Sequence, residues 1–206
     1  MDHELVVGSQ RLLAACGEDL QRQAHSLLEM LARLHTAQAP LHDAMVVEFG
    51  WAPLKLMAEG DALRVCEPDY DAGASRFRPQ VDATLRVLAQ QAAVVQATGA
   101  PPRAARFDQI VHVAPGALTA ERIGLVRRVP VDDADSGWFI GALDGDVSAD
   151  AERVSEAMPV HRLWRERPAV LKLLALPLAY SAALQGQTII NVVNEQGQPV
   201  WPYEPG

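Results

Sequence analysis

The sequence is short of most of the features that narrow a function quickly. Two residues of 206 are cysteine, and aromatic side chains make up 5%. Cys16 and Cys66 form no C-x-x-C pair and stand at no metal-ligand spacing. A disulfide scaffold or zinc ribbon is therefore excluded and a reducing compartment is expected. Both read as small buried hydrophobes, Cys16 in a helical pattern and Cys66 in a strand pattern. Basic residues are outnumbered: 18 Lys and Arg face 26 Asp and Glu, a net charge of −8 with a pI near 5.2. That excludes a general nucleic-acid binder, which needs a basic footprint against phosphate. No apolar run reaches the roughly 18 residues of a membrane span. The longest, Ala169–Leu178, is interrupted by Lys172 and Pro177. Asp2 and Glu4 stand where a secretory leader carries basic residues, and Val6-Val7 is too short for its apolar region, so the expected location is cytoplasmic.

Catalytic and metal-binding motifs are missing too. The chain has no H-E-x-x-H, P-loop, G-x-S-x-G or G-x-G-x-x-G. His3, His25, His35, His42, His112 and His161 include no metal-spaced pair. His25 and His35 fall near one helical face, but no acid or thiol completes a site. Asp144-Gly145-Asp146-Val147-Ser148-Ala149-Asp150 begins like a calcium loop. It has Ala149 where that loop needs Gly and Ser155 where it needs a bidentate Glu, and a turn followed by a helix cap explains the same letters. The expectation is no catalytic residue, no cofactor and no metal.

What is present is a pattern of mixed elements. Leu13, Leu20, Leu27 and Leu34 recur every seven residues, and the period predicts a helix or helix pair over Ser9–Thr36, with Gly17 as a restart. The stripe packs on its own domain or forms a self-association seam; the first is expected, giving a monomer. Leu54, Leu56, Leu63 and Val65 alternate around the Glu59-Gly60-Asp61 turn, a hairpin signal. A loop over Pro68–Pro79 precedes a second helix over Gln80–Gly99, which Gly99 and Pro101-Pro102 stop. Ala100–Ala105 is the candidate linker, dividing a region 1–100 from one of 101–206, although one continuous domain fits equally.

The second half reads as strands over Ile110–Val113, Ile123–Val129, Trp138–Leu143, Leu178–Leu184 and Thr188–Val193. Short helices are expected over Ala149–Met158 and Pro168–Leu174. Leu63 and Ile190 are expected inside. The fold class is α+β: an N-terminal helix, a hairpin and a second helix, then a mostly antiparallel sheet with short helices.

Between two of these strands lies an acidic turn, Asp132, Asp133 and Asp135, running into Ser136-Gly137-Trp138. Catalytic carboxylates need surroundings that split their pKa values, and three acids in a polar turn are ordinarily solvated. As a contact surface they are more informative, since carboxylates around an aromatic anchor suit a basic partner. Alternation does not decide whether Trp138 faces that partner or the core.

Asp135-Ser136-Gly137-Trp138-Phe139-Ile140-Gly141 resembles the Asp-Ser-Gly-Trp motif of the bacterial polymorphic-toxin immunity proteins of the class numbered thirty-three. The resemblance covers about Ile110 to Pro202. It takes in the lead-in strand, the Asp144-Gly145-Asp146 step, the run from Pro159 through Pro168-Ala169-Val170 to Leu174 and Pro177, and the closing Thr188–Pro199 segment. It implies a cytosolic immunity protein that occludes a cognate toxin, such as a nuclease, delivered by a contact-dependent secretion system. It carries over no catalytic residue and leaves residues 1 to about 100 without a role. The expected partner-binding residues are Asp132, Asp133, Asp135, Ser136, Trp138, Asp144 and Asp146. An enzyme of unrecognised type and a self-associating scaffold are the alternatives.

Overall fold

The computed structural model describes residues 1–37, 40–73, 76–144 and 154–202. The chain divides into two compact units, Met1–Ala89 and Gln90–Gly206.

The first unit opens on a strand pair rather than a helix. β1 (Asp2–Val7) and β2 (Gln10–Ala15) form a hairpin whose register closes at Val7 opposite Gln10. The two residues between them include Gly8 at φ +62, the positive value a tight hairpin turn requires. The helix expected over Ser9–Thr36 is therefore corrected. A short 3₁₀ turn, Glu18–Leu20, leads into α1 (Gln21–Ala37), and the segment before Gly17 is strand. The seven-residue leucine spacing ran across a strand-to-helix junction, so Leu13 belongs to β2 and the helical stripe begins at Leu20.

The meander β3 (Val46–Phe49), β4 (Ala52–Glu59) and β5 (Ala62–Pro68) completes the sheet, in the order β1-β2-β5-β4-β3. The hairpin expected at Glu59-Gly60-Asp61 is present, with Glu59 opposite Ala62. β2 and β5 run parallel, a geometry that needs the long crossover that α1, β3 and β4 supply. One sheet face and α1 share a core. Leu12 and Ala14 come from β2, Leu54 and Leu56 from β4, Leu63 and Val65 from β5, and Ala24, Leu27, Leu28 and Leu31 from the helix.

The loop over Pro68–Pro79 contains a 3₁₀ turn at Tyr70–Ala72 and β6 (Phe77–Arg78), which pairs with β5. After it α2 (Asp82–Thr98) begins. The buried Glu67 carboxylate meets its first turn, accepting from the Ala83 and Thr84 amides at 3.2 and 2.7 Å and pairing with Arg78 at 2.8 Å. Burial pushes the Glu67 carboxyl up, while the Thr84 amide and Arg78 pull it down.

The second unit holds β7 (Ile110–Val113), β8 (Arg122–Arg127), β9 (Asp135–Ala142), β10 (Glu156–Pro159), β11 (Ser181–Gln185) and β12 (Thr188–Val193), in the order β10-β7-β9-β8-β11-β12. The content is mixed α and β. Each unit's sheet is mixed as well, because β7 and β9 run parallel while their neighbours are antiparallel. The helix expected over Ala149–Met158 is corrected where it is described: Glu156–Pro159 is an edge strand on β7. Pro168–Leu173 is 3₁₀ helix, and α3 (Leu163–Glu166) precedes it. The strand expected from Leu178 begins at Ser181.

Inward residues alternate cleanly: Ile123 and Leu125 on β8, Trp138 and Ile140 on β9, Ala182 and Leu184 on β11. Leu163, Val170, Leu171, Leu173 and Leu176 are buried with them. Ala100–Ala105, expected as a linker, is tied into this unit. The Arg103 amide donates to Ala175 O at 2.8 Å and the Ala105 amide to Leu174 O at 2.9 Å.

Candidate functional site

The acidic turn and the start of β9 form one hydrogen-bonded latch. Asp132 Oδ1 accepts from the Ala134 and Asp135 amides at 2.9 and 3.0 Å, closing the turn locally. Asp135 then bridges its two sides. Oδ1 accepts from the Gly137 amide at 2.8 Å and Oδ2 from the Val131 amide at 3.0 Å. Ser136 Oγ donates to Ile110 O at 2.6 Å and accepts from the Trp138 amide at 3.2 Å, which pins β9 to β7. The latch sits on an irregularity: Ile110 faces Asp135, but His112 faces Phe139, so β9 carries two extra residues there.

Gly137 makes this bend possible. Its φ is +74, and a Cβ would stand 2.2 Å from Arg128 O. No side chain fits between two backbones that close.

Beneath the bend lies Arg127, a residue only 3% exposed. Its Nε donates to Ser136 O at 3.2 Å, and its Nη1 to Leu176 O at 2.6 Å and to Arg103 O. It also lies 5.5 Å from the centre of the Trp138 ring. Among the described residues no carboxylate pairs with it, and burial pushes its pKa down to about 10, which leaves it charged at neutral pH. Backbone carbonyls and an aromatic face take the place of a counter-ion.

Sequence reasoning expected Ser136 and Trp138 at a contact surface, and the structure corrects this. Both are 0% exposed and Asp135 is 8% exposed, so their side chains are occupied inside the unit. Asp132 and Asp133 are exposed, and Val129 and Val131 beside them are 76% and 86% exposed. Asp144 is also exposed, but it lies past the far end of β9, roughly 20 Å away by strand rise, and pairs with Arg122 at 3.1 Å. Asp146 lies outside the described residues, as do Ser148 and Asp150 of the calcium comparison. Among the described residues no three His, Cys, Asp or Glu side chains gather as a metal site needs. None of the described helices is long and apolar enough to cross a membrane.

Two residues that sequence reasoning missed complete the arrangement. Gln109 Nε2 donates to Asp133 O at 3.0 Å and Asp135 O at 3.3 Å, holding the turn from the β7 side. Nothing in its local sequence sets it apart. Arg127 had a signal: it shares strand parity with Ile123 and Leu125, and therefore their inward face. Together these contacts give a rigid turn whose exposed tip presents two carboxylates and two valines.

No curated protein and no solved structure matches the chain. The Imm33-like domain, by contrast, matches residues 90–195, just over half of the 206 residues and nearly all of the second unit. Latch, bend and exposed turn all fall within that match, and the chain belongs to the Imm33-like family.

Proposed function

We propose that this chain is an immunity protein that binds a cognate toxin in the cytosol and neutralises it by occlusion, with the tip of the latched turn at the contact. The observation that carries this reading is the Imm33-like match over the unit that holds the turn. The chemistry of the tip supports it. Val129 and Val131 offer apolar area that the fold leaves in water, and Asp132 and Asp133 flank it with negative charge. Such a surface suits a basic site with an apolar floor, as a nuclease active site offers where it grips phosphate. Occlusion asks for complementarity and rigidity, and a turn fixed in advance loses little entropy on binding. Neutralisation is then a binding event with no chemical step assigned to the chain.

The test is co-expression with the product of whichever neighbouring gene arrests growth when expressed alone. The variant pair is Asp132→Asn with Asp133→Asn, which removes both charges and leaves an Asx side chain to cap the turn. Wild type should restore growth and co-purify with the toxin. The double variant should fold normally by circular dichroism and protect markedly less. Full protection by the double variant, together with full protection by Val131→Asp, would remove the turn from the interface.

A further inference from the structure

Arginine in this acidic chain commonly meets an acid. Arg11, Arg64, Arg78, Arg86, Arg122 and Arg162 each pair with a carboxylate. Arg103 and Arg127 do not. Arg103 is exposed, and its guanidinium has no hydrogen-bond or ion-pair partner among the described residues. Arg127 is buried, and its Nε and Nη1 are occupied by the carbonyls of Ser136, Leu176 and Arg103. Its Nη2 is left over. Among the described residues nothing accepts from that nitrogen, and it keeps an edge in contact with solvent. The two cations are neighbours. The Arg103 carbonyl accepts from Arg127 Nη1, and the Arg103 charge adds to burial, the larger cause, in pushing the Arg127 pKa down. One of these like charges lies in a dry interior, and among the described residues no acid offsets their repulsion.

We propose that the Arg103 guanidinium and the free Nη2 edge of Arg127 bind a phosphate dianion, either the free ion or the end of a small ester. A pair of uncompensated cations matches a doubly charged anion. Planar guanidinium forks also match phosphate oxygens in geometry, where an ammonium acts only as a point charge. The narrow exposure of Arg127 admits one small oxyanion and leaves any ester body outside. The site lies within the second unit, uses none of the side chains at the exposed tip of the turn, and does not rest on the immunity reading.

The probes are inorganic phosphate and phenyl phosphate, against chloride at matched ionic strength and about pH 8, above the second ionisation of a phosphate group. Melting of the full chain should rise saturably with phosphate, as mass action requires of a ligand that binds only the folded state. Exclusion of phosphate from the protein surface also raises the melting temperature, but without saturation and equally in every variant. Arg103→Gln should weaken the saturable effect about tenfold or more. Its melting temperature in chloride should stay near wild type, because the fold uses only the carbonyl of this residue. Arg103→Lys keeps the charge without the fork and should fall between the two. Arg22→Gln, on the exposed surface of α1, removes the same charge from the first unit and should leave phosphate affinity unchanged. Phenyl phosphate binding as tightly as phosphate assigns the site to the end of an ester, and weaker binding assigns it to the free ion. A rise that does not saturate, or one that is the same in Arg103→Gln as in wild type, overturns the proposal. An equal loss in Arg22→Gln also overturns it, since the effect would then follow net charge alone.

Discussion

Gly137 and Arg127 show how one bend fixes the surface of this protein. The glycine admits a backbone conformation that brings β9 against Arg128 O, and the arginine ties the carbonyls of Ser136, Leu176 and Arg103 to one guanidinium. Gly137→Ala places a methyl group where a carbonyl oxygen already stands and holds a non-glycine residue at φ +74. It should cost at least about 2 kcal/mol. Arg127→Met keeps the apolar stem and deletes the donors, leaving carbonyls without partners in a dry interior. A loss of about 3 kcal/mol is expected, the relief of burying one fewer charge offsetting part of the gross cost. Urea melts read both. Two variants within 0.5 kcal/mol of wild type, roughly the noise of surface changes, would mean the bend is not built as described. The sequence showed the motif but not its use. Asp-Ser-Gly-Trp stands out as letters, and exposed acids beside a tryptophan resemble a hot spot. Bulge geometry turns the Asp and Ser side chains onto backbone amides and carbonyls, and that depends on a partner strand, β7, that local sequence does not specify.

Among the secondary-structure elements, strand parity was legible wherever the ladder is regular and misled wherever it shifts. The β4–β5 ladder runs without a register shift from Lys55 opposite Cys66 to Glu59 opposite Ala62, and Leu63, expected inside, is 5% exposed. The β11–β12 ladder does shift. Ala183 faces Asn191 and Leu184 faces Ile189, which leaves Ile190 as the extra residue of a bulge, 40% exposed. Its burial, expected from β-branched composition alone, goes instead to Ile189 and Val192. Leu63→Ala should therefore cost about 2–5 kcal/mol, while Ile190→Ala should stay within about 0.5 kcal/mol of wild type. Equal losses in the two variants would show that the register of β12 is wrong. The helix expected at Ser9 failed for a related reason: a seven-residue spacing says nothing about the chain between its leucines. The stripe of α1 itself was legible, because Leu20, Ala24, Leu27 and Leu31 keep the helical period and all are buried.

For the whole molecule, the net charge of −8 acts on every encounter with a basic partner, whether or not the turn is at the interface. The two contributions separate by salt dependence. Asp132→Asn with Asp133→Asn lowers the net charge from −8 to −6, a quarter of the total. If charge steers the toxin only through the overall field, the slope of log association rate against ionic strength should fall by about that fraction. If the turn docks against the toxin's basic site, the two carboxylates lie nearest the partner's charge in the encounter complex, and the slope should fall by well over half. Dissociation should change less, since charges at an interface rim act mainly on the on-rate. Stopped-flow mixing of each variant with catalytically inactivated toxin, between about 0.05 and 0.5 M salt, gives both numbers. A slope reduced by a quarter or less places the toxin elsewhere on the chain. A slope reduced by more than half, with dissociation nearly unchanged, identifies the tip of the latched turn as the surface the toxin approaches first.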